Sequence, residues 1–243
     1  MSKSVRFTAG DGTPRDGFLD GDDVVTGDVR YALAGVRLLA PCLPTKIVCV
    51  GRNYAEHARE LDSPLSAEPL LFFKPPSAVI GPGDPIVYPR QSKRVDYEGE
   101  LAAVIGRRCR DVTAQGAPDY VRGFTVFNDV TARDLQKTDE QWARAKGFDT
   151  FASIGPCIVD GIDPSSLRIR TTLNGTVKQD APTSLMLVDV WSLIAYASAA
   201  FTLEPGDVLA TGTPAGIGPM QPGDVVCVEI EEIGALTNRV VAR

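Results

Sequence analysis

The chain has 243 residues, 44% of them hydrophobic and 23% charged, with a net charge of −6. These values suit one large soluble globular domain, or one main domain with a small addition, and argue against a disordered chain. The mild acidity and the lack of any basic run argue against a nucleic-acid partner.

The longest apolar segment, residues 186–201, is interrupted by Asp189 and Ser192 and is too short to span a bilayer, so no membrane partner is expected. The five cysteines (42, 49, 109, 157 and 227) are odd in number and form no C-x-x-C, which argues against a disulfide framework and a zinc knuckle. Cys49 and Cys157 lie in apolar runs and read as buried thiols. The opening M-S-K-S-V-R-F lacks an apolar signal core, so the expected setting is the reduced cytoplasm.

Residues 1–42 carry short alternating runs between Gly- and Asp-rich turns and read as a small N-terminal β domain, with the main domain over 43–243. Residues 46–51, K-I-V-C-V-G, are a buried-strand run. Asn53 then reads as a helix N-cap with Glu56 as its capping-box partner, the helix covering 54–61 and stopping at Asp62-Ser63-Pro64. Leu70-Leu71-Phe72-Phe73 is a second buried strand, ended by Lys74-Pro75-Pro76.

Residues 94–105, R-V-D-Y-E-G-E-L-A-A-V-I, form the strand of greatest chemical interest. Side chains at i and i+2 leave one face of a strand, so Glu98 and Glu100 point together, away from Tyr97, Gly99 and Leu101. Two adjacent carboxylates repel and are costly to bury, which a divalent cation would resolve. The competing reading is a solvated strand face. Residues 124–127 are another buried strand, with Asn128-Asp129 at its end, and 131–145 read as one helix with Leu135 and Trp142 on its apolar edge.

The run 167–173 alternates as a half-exposed strand and meets the hairpin signal Asn174-Gly175. Residues 187–200 are the clearest buried helix, and Pro-Gly-Asp recurs as a turn at 82–84, 205–207 and 222–224. Strands outnumber helices without sustained β-α-β alternation, which predicts an α+β, mainly β architecture.

Taken with Glu98 and Glu100, Asp129 gives three oxygen ligands with no Cys or His beside them, a set that favours Mg²⁺, Mn²⁺ or Ca²⁺ over Zn²⁺. Alone, Asp129 reads as an Asx turn or N-cap. His57 is the only histidine, and Glu60 at i+3 shares its helix face, as a water-activating base would need; the competing reading is a surface histidine on a charged helix. Lys146 could stabilise a developing oxyanion but reads by default as a surface lysine, and Gln136 is unremarkable alone. Residues 210–222 form a glycine-rich loop whose N–H groups, with the Thr213 hydroxyl, could cradle a carboxylate; a plain long turn is the competing reading. No phosphate-binding motif supports a nucleotide.

The strings G-R-N-Y-A-E-H-A-R-E (51–60), D-Y-E-G-E-L (96–101), F-N-D-V-T-A-R-D-L-Q (127–136), K-G-F-D-T-F (146–151) and T-G-T-P-A-G-I-G (211–218) occur in order. Together they resemble the fumarylacetoacetate hydrolase family, in its acylpyruvate hydrolase and oxaloacetate decarboxylase-like branch, over residues 46–241. The resemblance implies a mixed β-sandwich roll and a homodimer. It implies Mg²⁺ or Mn²⁺ on Glu98, Glu100 and Asp129, a His57–Glu60 dyad on a lid segment, and substrate contacts from Lys146, Gln136, Arg52 and Thr213.

The expected activity is metal-dependent C–C hydrolysis of an acylpyruvate, a small-molecule 2-oxo acid, releasing pyruvate as a metal-bound enolate. Oxaloacetate decarboxylation, or isomerisation or decarboxylation of a 2-hydroxyhepta-2,4-diene-1,7-dioate in aromatic catabolism, are the alternatives. A non-catalytic cation- or 2-oxo-acid-binding protein is a remoter one, and it would not need His57–Glu60.

Overall fold

Among the residues described in this computed structural model, 1–62, 64 and 68–243, the apolar runs assemble into sheets of twelve, five and three strands. Gly99–Ile105 lies within the large sheet, antiparallel to Val121–Asp129 on one side and to Val208–Ala210 on the other. All of its residues are buried, as a continuous rather than alternating apolar run requires. Leu101, Ala103 and Ile105 face a core shared with Val228 and Ile230 of the five-stranded sheet, while Ala102 and Val104 face a second cluster with Ile47, Phe127 and Ile158. The protein is thus α+β and mainly β, with two open sheets packed face to face.

The N-terminal strands belong to the same sheet. Lys3–Thr8 pairs with Ala152–Val159, Lys3 opposite Val159, and Pro14–Asp20, Asp23–Thr26 and Val29–Ala32 extend the ladder outward. Val5, Phe7 and Val24 join the main core cluster.

The turn chemistry is direct. Gly83, Gly206 and Gly223 all adopt positive φ (78°, 89° and 102°). The aspartate after each accepts the N–H three residues back: Gly81 for Asp84 (2.8 Å), Glu204 for Asp207 (2.8 Å) and Gln221 for Asp224 (2.7 Å). Asn174 and Gly175, at φ 51° and 77°, turn Arg168–Leu173 into Thr176–Pro182.

Several local expectations are corrected. Helix 187–200 starts later, as Val190–Ala200, because the Asp189 carboxylate accepts the Trp191 and Ser192 N–H groups and fixes the N-cap there. Leu70–Lys74 is an edge strand paired with Ile47–Gly51, leaving Leu70 and Phe73 exposed; an apolar run does not reveal where a sheet ends. Asn53 is not an N-cap. The helix is Ala55–Glu60 with Tyr54 at the cap position, and the Asn53 amide instead bonds the carbonyls of Val188 (3.0 Å) and Thr211 (2.8 Å) and the Val188 N–H (2.9 Å). The expected stop at Ser63 lies outside the described residues.

The single helix expected over 131–145 is broken. Thr131–Ala132 pairs with Val95–Tyr97, and two short helices follow, Arg133–Thr138 and Ala143–Gly147. Asp139 takes an extended conformation between them, and its carboxylate is held by Arg144 at 2.9 and 2.6 Å. No helix among the described residues is long and apolar enough to cross a membrane, and the cysteines are free.

Candidate active site and metal centre

The site begins where the chain changes sheets. Val95–Tyr97 lies in the three-stranded sheet and Gly99–Ile105 in the large one, with Glu98 at the switch. Gly99 makes the switch possible, since a Cβ there would lie 2.2 Å from Thr171 Oγ1 and 2.9 Å from Val228. With Gly99 pressed against the second sheet, Glu98 and Glu100 both emerge on the opposite side. The adjacent strand pairs Gly99 with Asn128, and the Asp129 N–H donates to the Glu98 carbonyl at 2.9 Å. One carboxylate oxygen each from Glu98, Glu100 and Asp129 therefore lies within 4.8 Å of the others, and all three residues are buried.

Three buried cations face these carboxylates. Lys146 Nζ donates to Glu98 (2.9 Å) and Asp129 (2.6 Å), Lys74 pairs with Asp129, and the Arg133 guanidinium pairs with Glu98. Burial pushes the Glu98 carboxyl up, but Lys146 and Arg133 outweigh it and hold the group well below the usual carboxylate range. Burial works against the charged form of Lys146, yet the Asp129 and Glu98 charges keep its pKa raised. Burial lowers Lys74, and the Asp129 charge only partly offsets that.

Glu100 differs. Its partner is the Gly212 N–H at 2.9 Å, and among the described residues it has no paired cation. Burial, then the charges of Asp129 and Glu98, push its carboxyl well above the usual range. A hard divalent cation would relieve that crowding, and an all-oxygen donor set with no Cys or His fits one.

His57 is buried on the short helix, and its Nδ1 lies 3.2 Å from Glu60 Oε2. A carboxylate only accepts, so Nδ1 carries the hydrogen and Nε2 is left as the basic nitrogen. One cavity of about 230 Å³ brings together Arg52, His57, Glu98, Glu100, Gln136, Lys146 and Thr213, with Phe72 and Trp142 as its aromatic wall. Glu60 stands behind His57, and Asp129 is tied to the cavity-lining Lys146.

Two expectations change in detail. The Thr213 hydroxyl donates to the Gly99 carbonyl (2.9 Å) and accepts from Gln179 Nε2 (2.7 Å), so its one hydrogen is already committed to the protein. The glycine-rich loop cradles the protein's own carboxylates: the Gly212 N–H holds Glu100 and the Gly216 N–H holds Glu60 at 3.2 Å.

Other site residues escaped the sequence reading. Lys74 stood there only as a strand end, and the Arg133–Asp96 pair was not singled out. Arg133 Nε donates to the fully buried Asp96 at 2.9 Å, and its Nη1 holds Gln136 Oε1 at 2.6 Å, which leaves the Gln136 NH₂ to the cavity. The i, i+3 spacing of Arg133 and Gln136 on one helix was the available signal.

Residues 46–241 match the family model described as fumarylacetoacetate (FAA) hydrolase C-terminal. The chain is 45% identical to a mitochondrial oxaloacetate tautomerase from Xenopus laevis, over 86% of this chain and 69% of that protein. It superposes on the crystal structure of 2-hydroxyhepta-2,4-diene-1,7-dioate isomerase from Mycobacterium marinum with a TM-score of 0.92 and 44% identity, covering 100% of this chain and 99% of the other. The maleylpyruvate hydrolase of Sphingobium sp. SYK-6, solved with manganese(II) and pyruvate, gives a TM-score of 0.84 at 31% identity, covering 99% of each chain.

Proposed function

The chain belongs to the fumarylacetoacetate hydrolase family, and on that premise we propose that it is a divalent-metal-dependent enzyme moving a proton at the carbon beside the keto group of a short 2-oxo acid. The observation that carries this reading is one cavity walled by a carboxylate-held histidine and by a three-carboxylate cluster. Glu98, Glu100 and Asp129 would hold Mg²⁺ or Mn²⁺, which when bound supplies Lewis-acid polarisation of a keto oxygen.

His57 Nε2 takes the proton from the carbon next to the keto group. Glu60 fixes the ring and stabilises the imidazolium. Lys146 sets an ammonium beside the charge that develops on the keto oxygen. The Gln136 NH₂ and Arg52 orient the acid, and Phe72 and Trp142 keep water from the carbanion. Return of the proton to oxygen or to a farther carbon gives the tautomer or the isomer. The relatives at 44–45% identity, named as an isomerase and a tautomerase, support this order of preference.

A second reading uses the same groups, and the likeness to a maleylpyruvate hydrolase supports it. His57 takes a proton from water, the oxygen adds to the distal carbonyl of an acylpyruvate, the C–C bond breaks, and pyruvate leaves as its enolate. Oxaloacetate decarboxylation gives that enolate without the water. A panel of oxaloacetate, acylpyruvates and dienedioates, each with Mg²⁺, with Mn²⁺ and with EDTA, tests both. Turnover of the enol form or the dienedioate, lost on chelation, is the expected result. Activity that survives chelation, or no turnover of any 2-oxo acid, would sink the proposal.

A further inference from the structure

His57 can serve as a base only while Glu60 holds its ring, and the helix alone does little to hold Glu60. Ala55–Glu60 has six residues, of which His57 and Ala58 are buried, and the Glu60 side chain is 31% exposed. An exposed carboxylate at the end of so short a helix samples several rotamers unless a group outside the helix fixes it. That group is the Gly216 N–H, 3.2 and 3.3 Å from the two Glu60 oxygens, and Oε2 is the oxygen that meets His57 Nδ1.

Gly216 needs an anchor of its own. Its φ is 101°, and with no Cβ its two flanking peptides turn easily. Its carbonyl accepts the Tyr97 hydroxyl at 2.9 Å. The N–H belongs to the peptide before the Gly216 Cα and the carbonyl to the peptide after it, so Tyr97 pins one side of a residue whose other side holds Glu60. Tyr97 is 2% exposed and sits opposite Gly218 in the three-stranded sheet. A Cβ on Gly218 would lie 3.0 Å from the Tyr97 hydroxyl, so that glycine leaves room for the phenol to reach back to Gly216.

Tyr97 immediately precedes Glu98, and consecutive strand residues leave opposite faces. The segment thus offers a metal-ligand candidate on one face and, on the other, a hydroxyl joined to His57 through three hydrogen bonds. Tyr97 is not among the residues lining the cavity. We propose that Tyr97 is a positioning residue for the base: its hydroxyl fixes the Gly216 peptide, the Gly216 N–H fixes Glu60, and Glu60 keeps the hydrogen of His57 on Nδ1. The role deepens the reading of His57 as the proton-transfer group and rests on it.

The test is Tyr97→Phe, which removes one oxygen and keeps the ring, in the full chain with Mg²⁺. His57 is the only histidine, so protein labelled with ¹⁵N-histidine gives a single imidazole spectrum, and long-range ¹H–¹⁵N coupling at pH 8 shows which nitrogen carries the hydrogen. The parent should show Nδ1–H alone and the variant a mixture of both tautomers. On whichever 2-oxo acid of the panel turns over, kcat should fall roughly 2- to 10-fold, the value of one hydrogen bond, with KM within roughly twofold. The Mn²⁺-induced rise in Tm should stay, which shows the variant folded with its carboxylate cluster intact.

A hydroxyl that serves the fold alone would lower Tm and leave the tautomer and kcat as in the parent, and that result would overturn the proposal. So would a fall in kcat with the Nδ1–H signal unchanged, or a parent carrying its hydrogen on Nε2, a measurement that needs no variant. If no 2-oxo acid turns over, the functional reading fails and the positioning role falls with it, whereas a silent Tyr97→Phe beside an active parent sinks the positioning role alone.

Discussion

Glu100→Gln separates the cost of the carboxylate cluster from its use. Glu100 is buried, has no paired cation among the described residues, and is pushed up by burial and by the Asp129 and Glu98 charges. A group whose folded pKa lies above its unfolded value contributes stability that is fully present below the unfolded pKa and lost as pH rises through the folded one. In EDTA the parent protein should therefore lose stability as pH rises above about 4.5. The glutamine variant, which mimics the protonated acid and can still accept the Gly212 N–H, should not. At pH 8 the metal-free variant should be the more stable by about 1–2 kcal/mol, the order expected when an uncompensated buried charge is removed.

Metal reverses the ranking. At about 100 times its dissociation constant a ligand stabilises by about 2.7 kcal/mol, which for a chain of this size raises Tm by about 5–11 °C. Glu100→Gln should lose most of that rise. Scanning calorimetry at pH 5 and pH 8, with EDTA or Mn²⁺, measures all four states. A variant that keeps the full Mn²⁺ shift, or one less stable than the parent in EDTA at pH 8, would refute the reasoning.

His57→Gln should lower turnover by about 10²- to 10⁴-fold while leaving the Mn²⁺-induced rise in Tm intact, so the pair of measurements assigns it to proton transfer and not to metal holding. His57→Ala should abolish acylpyruvate hydrolysis more than oxaloacetate decarboxylation, and equal losses would count against a water-activating role. Asp96→Asn takes from Arg133 one of its two buried carboxylates and should cost about 1–3 kcal/mol in denaturant unfolding, with weaker metal binding as Arg133 is held less firmly against Glu98. Gly99→Ala forces a Cβ to within 2.2 Å of Thr171 Oγ1 and should remove the Mn²⁺ shift even if the chain folds, since relief requires the sheet switch at Glu98 to move.

What the sequence made legible follows from the range of the forces. Alternation put Glu98 and Glu100 on one side, and they do share it, although the chain changes sheets between Tyr97 and Gly99. Helical spacing paired His57 with Glu60, and the contact is present at 3.2 Å. The Pro-Gly-Asp turns close through neighbours three residues away. The partners that escaped notice are long-range. Lys74 meets Asp129 and Gln179 meets Thr213 only after the sheets are assembled. Asn53 carried a plausible local cap signal, and tertiary bonds to Val188 and Thr211 won because they satisfy the whole amide. The helix over 131–145 failed for the same reason: Thr131–Ala132 is claimed by the ladder with Val95–Tyr97.

The segment 211–218 has an evolutionary consequence. Through Gly212 it steadies a metal-ligand candidate, and through Gly216 it steadies the carboxylate behind the base. Neither glycine has room to vary: a Cβ at Gly216 would lie 2.1 Å from the Lys178 carbonyl, and one at Gly212 2.9 Å from Asn53 Cβ. Drift in this segment would disturb both halves of the chemistry at once, so substitutions at Glu60 and Glu100 should show epistasis although the two side chains belong to different elements. A lineage changing its reaction or its substrate has an easier route through positions outside that tie. Lys137, an exposed residue of the cavity lining that belongs to neither end of that tie, is where such divergence has room to accumulate.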